Sequence, residues 1–382
     1  MIYLDNSATT RVYPEVLETY LKVADSFFAN PSSIHKLGGQ SEELLKKTRE
    51  QAARLLQVED RELVFTSGGT EGNNLAIKGT AFYYRQRGKH LITTSVEHAA
   101  SFEAFKQLES IGYDVTYLDV DRSGKVDIEQ LKEAIRPDTI LVSLLHVNNE
   151  TGSIQDVEQI GSCLSHYPKI LFHVDHVQGL TKVPLHFKKA QIDLCTMSGH
   201  KIHGPKGTGL LYIRNGVKLA PLFAGGGQEG ELRSGTENLP GNVALVKALR
   251  LSLEKMEKGI PRMKRLMGKL RSDLEKSTFV TINTPQDGAP HILSLSVHGI
   301  KAEVLIHALD QEEIYISTKS ACSSKSEGAS RVLLGTGIPE KEAESAIRIS
   351  LSFETTDEEI ETFLNVFHQK VEELRRVMGG KP

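Results

Sequence analysis

The stretch Ile192-Asp193-Leu194-Cys195-Thr196-Met197-Ser198-Gly199-His200-Lys201 decides the reading of this chain. Its first six residues are mostly apolar and read as a buried strand. The Ser-Gly turn after them leaves a lysine at the strand's carboxyl end, where open α/β sheets bind ligands. A second apolar run, Lys169–Val174, leads into Asp175-His176-Val177-Gln178, which places Asp175 26 residues before Lys201. A lysine and an aspartate on neighbouring strand ends are what pyridoxal 5'-phosphate (PLP) requires. The lysine forms a Schiff base with the cofactor aldehyde. The aspartate keeps the pyridine nitrogen protonated, so that the ring acts as an electron sink. Most lysines are solvated surface charges, and it is the preceding strand together with Asp175 that sets Lys201 apart.

Outward from this stretch, strands and helices alternate regularly. Strands are expected at 63–66, 90–94, 114–118, 139–145, 169–174, 192–197 and 209–213. Helices are expected between them at 14–27, 39–56, 71–88, 99–112, 127–136 and 156–167. This alternation implies an α/β fold with a mostly parallel sheet sandwiched by helices. A long helix over about 240–275 follows, and then shorter strands (292–297, 314–317, 348–352) mixed with helices (301–309, 339–346, 357–376). That part reads as a smaller α+β domain. The expected division is 15–255 for the large domain and 1–14 with 256–382 for the small one. Thr356 precedes Asp357-Glu358-Glu359 and is the expected cap of the last helix.

A length of 382 residues exceeds what one compact core usually serves. The net charge of −3 offers nucleic acid or a membrane surface no electrostatic footing. No run reaches the ~18 apolar residues of a membrane helix, and the opening Met1-Ile2-Tyr3-Leu4-Asp5 is strand-like rather than a secretory leader. A cytoplasmic protein is therefore expected. Three widely spaced cysteines, Cys163, Cys195 and Cys322, form neither a disulfide framework nor a CxxC pair. The pairs His173/His176 and His200/His203 have a spacing that does not place both rings on one strand face, so no metal is expected.

Several other runs carry chemistry. Thr66-Ser67-Gly68-Gly69-Thr70-Glu71-Gly72-Asn73-Asn74 follows a strand and opens a helix. Its small residues let backbone N–H groups approach an anion at a helix N-terminus, with Thr70 adding a hydroxyl. Taken alone, the run also reads as an ordinary helix cap. Glu97-His98 stands at a strand end, where His98 can stack on a pyridine ring, and Val177, two residues after Asp175, can pack on the other face. Asn148-Asn149-Glu150 ends another strand, and its amides suit a cofactor oxygen and a carboxylate. Gly225-Gly226-Gly227 with Arg233-Ser234-Gly235-Thr236 forms a second small-residue cluster, read as either a phosphate contact or a flexible loop. Cys322 lies among small and polar residues, Ser320 to Ser330, and reads as the accessible, reactive cysteine on a mobile loop. Cys163 and Cys195 sit in apolar elements and read as core.

Taken together, these runs resemble the cysteine desulfurases, PLP enzymes of the class V aminotransferase-like, fold type I group. The likeness extends from Tyr3-Leu4-Asp5-Asn6-Ser7-Ala8-Thr9-Thr10 to Ala346-Ile347-Arg348-Ile349-Ser350. It is most specific at Asn30-Pro31-Ser32-Ser33-Ile34-His35 and Ser198–Gly207. The resemblance implies that Lys201 is the PLP lysine, that Asp175 meets the pyridine nitrogen, that Gln178 meets the ring oxygen and that His98 stacks on the ring. It assigns Gly69, Thr70, Ser198 and His200 to the phosphate, with Thr236 contributed by the second subunit of a homodimer. Arg348, Asn149 and Asn30 would hold the substrate, and Cys322 would carry a persulfide. The run after Cys322 resembles the long-loop group I members, with a catalytic loop at about 320–331. The implied reaction converts L-cysteine to L-alanine. Its sulfur goes to an acceptor protein, which is an iron–sulfur scaffold, a tRNA-thiolating enzyme or a thiamine-pathway sulfur carrier. A selenocysteine lyase or a docking subunit built on the same fold are the alternatives. Two departures stand out. His176 replaces a small residue, with a strand direction that turns it away from the ring. Gly328-Ala329-Ser330-Arg331 replaces the family's Pro-Ser-Tyr pattern and bears on the choice of acceptor.

Overall fold

The computed structural model describes residues 1–318 and 328–377. Its main sheet has seven strands in the order Leu63–Thr66, Gly209–Ile213, Leu194–Ser198, Leu171–Asp175, Thr139–Leu145, His90–Thr94, Asp114–Leu118. Within this sheet only Gly209–Ile213 runs against its neighbours; the remaining pairings are parallel. Successive residues on these strands enter different cores. Ile92, Val142, Phe172, Cys195 and Leu210 pack on one face, whereas Leu91, Leu141, Leu171, Leu194 and Leu211 pack on the other. Both faces are apolar, so both need helices to cover them. Each buried Leu or Phe contributes about 1.5–3 kcal/mol.

A three-stranded antiparallel sheet places Ile292–Val297 between Ala346–Ser350 and Val280–Ile282. Its core draws on Leu293 and Leu295, on Leu305 and Leu309 of the helix Ala302–Asp310, and on Phe363 and Phe367 of the helix Asp357–Val377. Thr356 and Glu359 form the expected reciprocal cap of that last helix. The helix Leu239–Leu274 bridges the two sheets. Leu245, Val246 and Leu249 join the large-sheet core, and Met263, Leu266 and Leu270 join the small one. Residues 2–10 also cross between them. Ile2 and Tyr3 pair with Ile314 and Tyr315, Ser7 bonds Ser350, and Thr10 bonds the carbonyl of His200.

Most elements fall where the sequence places them, but the helix expected over 339–346 shortens to Glu340–Ala343, the strand expected over 348–352 lies at Ala346–Ser350, the strand from Ile314 stops at Tyr315, and a short helix spans Arg331–Gly335. The strands before Asp175 and Lys201 each run one residue further, to Asp175 and Ser198, because those polar residues still find ladder partners in Thr196 and Gly209. Val280–Ile282 is an additional short strand, too brief and half-exposed to leave an apolar signature. The helix expected over 71–88 ends at Tyr83.

Candidate active site

Five parallel strands of the large sheet end on one edge, and each end delivers a residue to a single cavity of about 240 Å³. Its walls are Gly69, Thr70 and Asn73 from the first helix turn after Thr66, with His98, Asn149, Asp175, Val177, Gln178, Ser198, His200 and Lys201. Ser7, Ala8 and Arg348 close it from the N-terminal segment and the small sheet. An adjoining space of about 340 Å³ is lined by Ser67, Gly68, Thr70, Ser198, His200 and Lys206.

Lys201 ends a single 3-10 turn, Gly199–Lys201. Its Nζ donates to the carbonyls of Ser7 at 2.5 Å and Ala8 at 2.6 Å. The Lys201 carbonyl in turn accepts from Nζ of buried Lys182 at 2.9 Å. Asp175 Oδ2 accepts from Asn73 Nδ2 at 2.6 Å, and Oδ1 accepts from the Val177 N–H at 3.0 Å. Those two bonds aim the carboxylate while leaving lone pairs for a third donor. Gln178 Nε2 donates to the Ser7 carbonyl at 2.8 Å.

His98 caps the helix Ala99–Ser110, and its Nδ1 accepts from the Ala100 N–H at 3.1 Å. The acceptor role of Nδ1 places the ring proton on Nε2. Burial holds the His98 pKa below the usual 6.5. Asp175 opposes that shift, Lys201 reinforces it, Glu150 opposes and Arg331 reinforces. His200 is pushed down to about 3 by burial and by the cations Lys201 and Lys206. Glu97, immediately before His98, is fully buried; burial raises its carboxyl to about 8 despite bonds from Thr94 Oγ1 and the Leu145 N–H.

Arg348 is almost wholly inaccessible, with 1% of its side chain exposed. Nη1 donates to the Asn149 carbonyl at 2.7 Å, and Nη2 donates to Ser317 Oγ at 2.7 Å and to Asp5 Oδ1 at 3.0 Å. Among the described residues its buried Nε has no hydrogen-bond partner, and neither has Ser198 Oγ. Buried polar atoms of this kind call for a ligand. At the helix start, Gly68 holds φ at +143°, and a Cβ on Gly69 would lie 3.0 Å from Val177. That turn therefore admits backbone approach to an anion where a larger residue would fill the space. A lysine amine, an oriented carboxylate, an orphan hydroxyl and a bare helix N-terminus on one edge fit the donor set of PLP.

The cavity brings together eleven of the residues singled out from sequence: Gly69, Thr70, His98, Asn149, Asp175, Val177, Gln178, Ser198, His200, Lys201 and Arg348. Two others are not on its walls. Asn30 is exposed, and its Oδ1 accepts from the Ser32 N–H, closing a local turn. Thr236 is exposed beside Ser67, Gly207 and Arg233 in a separate hollow. Cys322 lies outside the described residues. His176 turns away from the cavity as its strand direction implied: its Nδ1 meets His146 Nδ1 at 2.8 Å. Sequence reasoning missed Asn73, one helical turn after Gly69, and Lys206. Asn73 carried a signal in being a polar residue at an inward helix position. Lys182 carried none.

The chain matches the family model "Aminotransferase class-V" over residues 2–363. It is 45% identical over 380 residues to the "NifS/IcsS protein homolog" of Lactobacillus delbrueckii subsp. bulgaricus, covering 99% of each chain. It is 42% identical over 382 residues to "Cysteine desulfurase IscS" of Methanosarcina thermophila, covering 100% of this chain and 94% of that one. Among solved structures, a "NIFS-like protein" superposes with a TM-score of 0.91 at 38% identity, over 98% of this chain and 99% of the other. The fold is thus that of a PLP-dependent enzyme. The chain belongs to the aminotransferase class-V family.

Proposed function

We infer that this chain is a PLP-dependent cysteine desulfurase. The observation that carries the reading is one cavity in which the Lys201 amine, the Asp175 carboxylate and the Arg348 guanidinium face a common space. Lys201 would hold PLP until an amino acid takes its place, and the cofactor would supply an electron sink for that amino acid's α-carbon while the Lys201 amine is freed. Asp175, aimed by Asn73 and the Val177 N–H, holds the ring nitrogen's proton. The first turn of the helix at Gly69, together with Ser198 Oγ and Thr70, receives the phosphate. Arg348 Nε and Asn149 receive the substrate carboxylate. Lys201, assisted by His98 from its Nε2 side, removes the α-proton.

Sulfur transfer falls to Cys322. Its thiolate attacks the sulfur of L-cysteine and the carbon–sulfur bond breaks, so that L-cysteine plus the Cys322 thiol give L-alanine plus a Cys322 persulfide. The segment carrying Cys322 joins the described residues at Thr318 and Gly328, and its flanks are bonded near the cavity: Ser317 to the wall residue Arg348 and to Asp5, and Ser330 to Glu150, next to the wall residue Asn149. The other two cysteines are poor candidates. Burial raises both thiols, Cys195 well above 9.

The sulfur then passes to an acceptor protein, for which an iron–sulfur scaffold, a tRNA-thiolating enzyme and a sulfur carrier remain the three classes. A homodimer is the working assembly, with Thr236 reaching the neighbour's phosphate. Exposed Leu17, Leu21, Phe28, Ile34 and Leu37 support an interface near the first two helices. No helix among the described residues is long and apolar enough to cross a membrane. The two cores support reading 15–255 as one domain and 1–14 with 256–382 as the other.

The test is an alanine and persulfide assay on Cys322→Ser, Cys163→Ser and Cys195→Ser. Cys322→Ser should keep its bound PLP yet release no alanine, while the other two turn over normally. Turnover by Cys322→Ser, or persulfide mapped to Cys163 or Cys195, would overturn the reading.

A further inference from the structure

Arg331 has no part in the reaction just described, yet its guanidinium crosses from the short helix Arg331–Gly335 to the turn that carries His98. Nη1 donates to the Ser95 carbonyl, and Nη2 donates to the Glu97 carbonyl at 2.5 Å. The same planar group lies over the ring of Phe102, 3.8 Å from its centroid. Phe102 sits in the first turn of the helix that His98 caps. One side chain therefore grips the main chain just before His98 and the helix just after it. The far end of the short helix rests on the same turn, since a Cβ on Gly335 would stand 3.0 Å from Val96 Cγ1. Ser330 secures the other end. Its Oγ donates to Glu150 Oε2 at 2.5 Å and accepts from the N–H groups of Val332 and Leu333. We propose that Arg331 is a positioning residue that fixes the placement of His98 in the cavity.

The geometry suits arginine specifically. A flat fork meets two carbonyls along its edge while its face lies on an aromatic ring, whereas a lysine brings a compact point charge without that planar geometry. Electrostatics act in the same direction. The groups facing His98 are Asp175 at the end of its strand, Lys201 on its turn, Glu150 after the third strand end, and Arg331. Glu97 adjoins it in the chain, and His200 lines the same cavity. Burial does most to keep His98 uncharged; Lys201 and Arg331 add to that effect, and Asp175 and Glu150 oppose it. Removing the Arg331 cation therefore raises the pKa of His98.

The inference rests on His98 acting in the reaction, so the experiment carries one readout that does not depend on turnover. Holoenzyme labelled with ¹³Cε1-histidine is titrated by NMR, with the His98 signal assigned from His98→Gln, for the wild type, Arg331→Met and Arg331→Lys. In Arg331→Met the His98 midpoint should rise, by less than the loss of the Lys201 charge would cause, because Arg331 is the weaker of the two cations acting on it. The acid limb of kcat should move up with it, and kcat should fall about tenfold with KM for cysteine within twofold. Arg331→Lys should keep the wild-type midpoint, because the charge remains, and still lose kcat, because the two-carbonyl grip is gone. An unchanged midpoint and pH profile in Arg331→Met, with only a lower Tm, would reduce Arg331 to a structural tie and overturn the proposal. A wild type without desulfurase activity would refute the functional reading alone, and the NMR comparison would still decide the role of Arg331.

Discussion

Replacing Arg348 with lysine keeps the charge and removes the fork. Arg348 already spends donors on the Asn149 carbonyl, Ser317 Oγ and Asp5 Oδ1, and its Nε remains unmatched. A lysine ammonium has only three donors. If it satisfies all three partners, nothing is left for a substrate carboxylate. If it turns to the substrate, Asp5 loses its cation in a site where little water enters. Either way at least one charge-assisted hydrogen bond is lost, worth about 1.5–3 kcal/mol. At about 1.4 kcal/mol per factor of ten, kcat/KM for L-cysteine should fall roughly 10- to 150-fold. The assay is steady-state alanine formation, with PLP content and Tm measured on the same preparations so that misfolding is not mistaken for lost binding. An unchanged kcat/KM in a variant that retains PLP would refute the assignment of Arg348 to the substrate carboxylate.

Asn73→Ala should loosen Asp175 by one charge-assisted bond and weaken PLP retention by about tenfold or more; dialysis against buffer, followed by cofactor quantitation, reads this directly, and wild-type retention would remove Asn73 from the site. Thr236→Ala should cost a similar factor in PLP affinity while leaving the dimer intact, and an unchanged affinity would mean that Thr236 does not reach a neighbour's phosphate. Glu97 is protonated in the folded state up to about pH 8, against 4.5 when unfolded, so its contribution to stability is full below pH 4.5 and is lost as pH rises through 8. Glu97→Gln cannot titrate, so its Tm should fall less between pH 5 and pH 8.5 than the wild type's; identical slopes would show that Glu97 is not the group responsible.

Most of the large sheet was legible because its strands are apolar on both faces and broken by small-residue turns. Those turns coincide with the site, which is why Lys201, Asp175, His98 and the Gly68-Gly69 start were readable before any coordinates. Legibility stopped where partners are distant in sequence. Asn73 looked like one more helix residue until Asp175 met it 102 positions later. Arg331 looked like a departure from a family pattern, and its partners Ser95 and Glu97 lie 236 and 234 positions away. Val280–Ile282 is short and half-exposed, so neither length nor hydrophobicity marked it. Asn30 was assigned by resemblance alone and Thr236 from a small-residue cluster that read equally as a loop, and within one chain neither lies on the cavity wall.

The segment at residues 2–10 ties Lys201 to Ser350 and has a consequence in time. Asn6 bonds the Ser350 carbonyl across 344 positions, and Ser7 and Ala8 supply the carbonyls that receive Lys201. At ~5–20 residues per second of synthesis, roughly 20–70 s separate the appearance of Asn6 from that of its partner. Throughout that interval the carboxyl edge of the large sheet lacks one wall. The last wall of the cavity therefore forms only after the strand Ala346–Ser350 has been made, a property that belongs to the order of the sequence rather than to the finished fold.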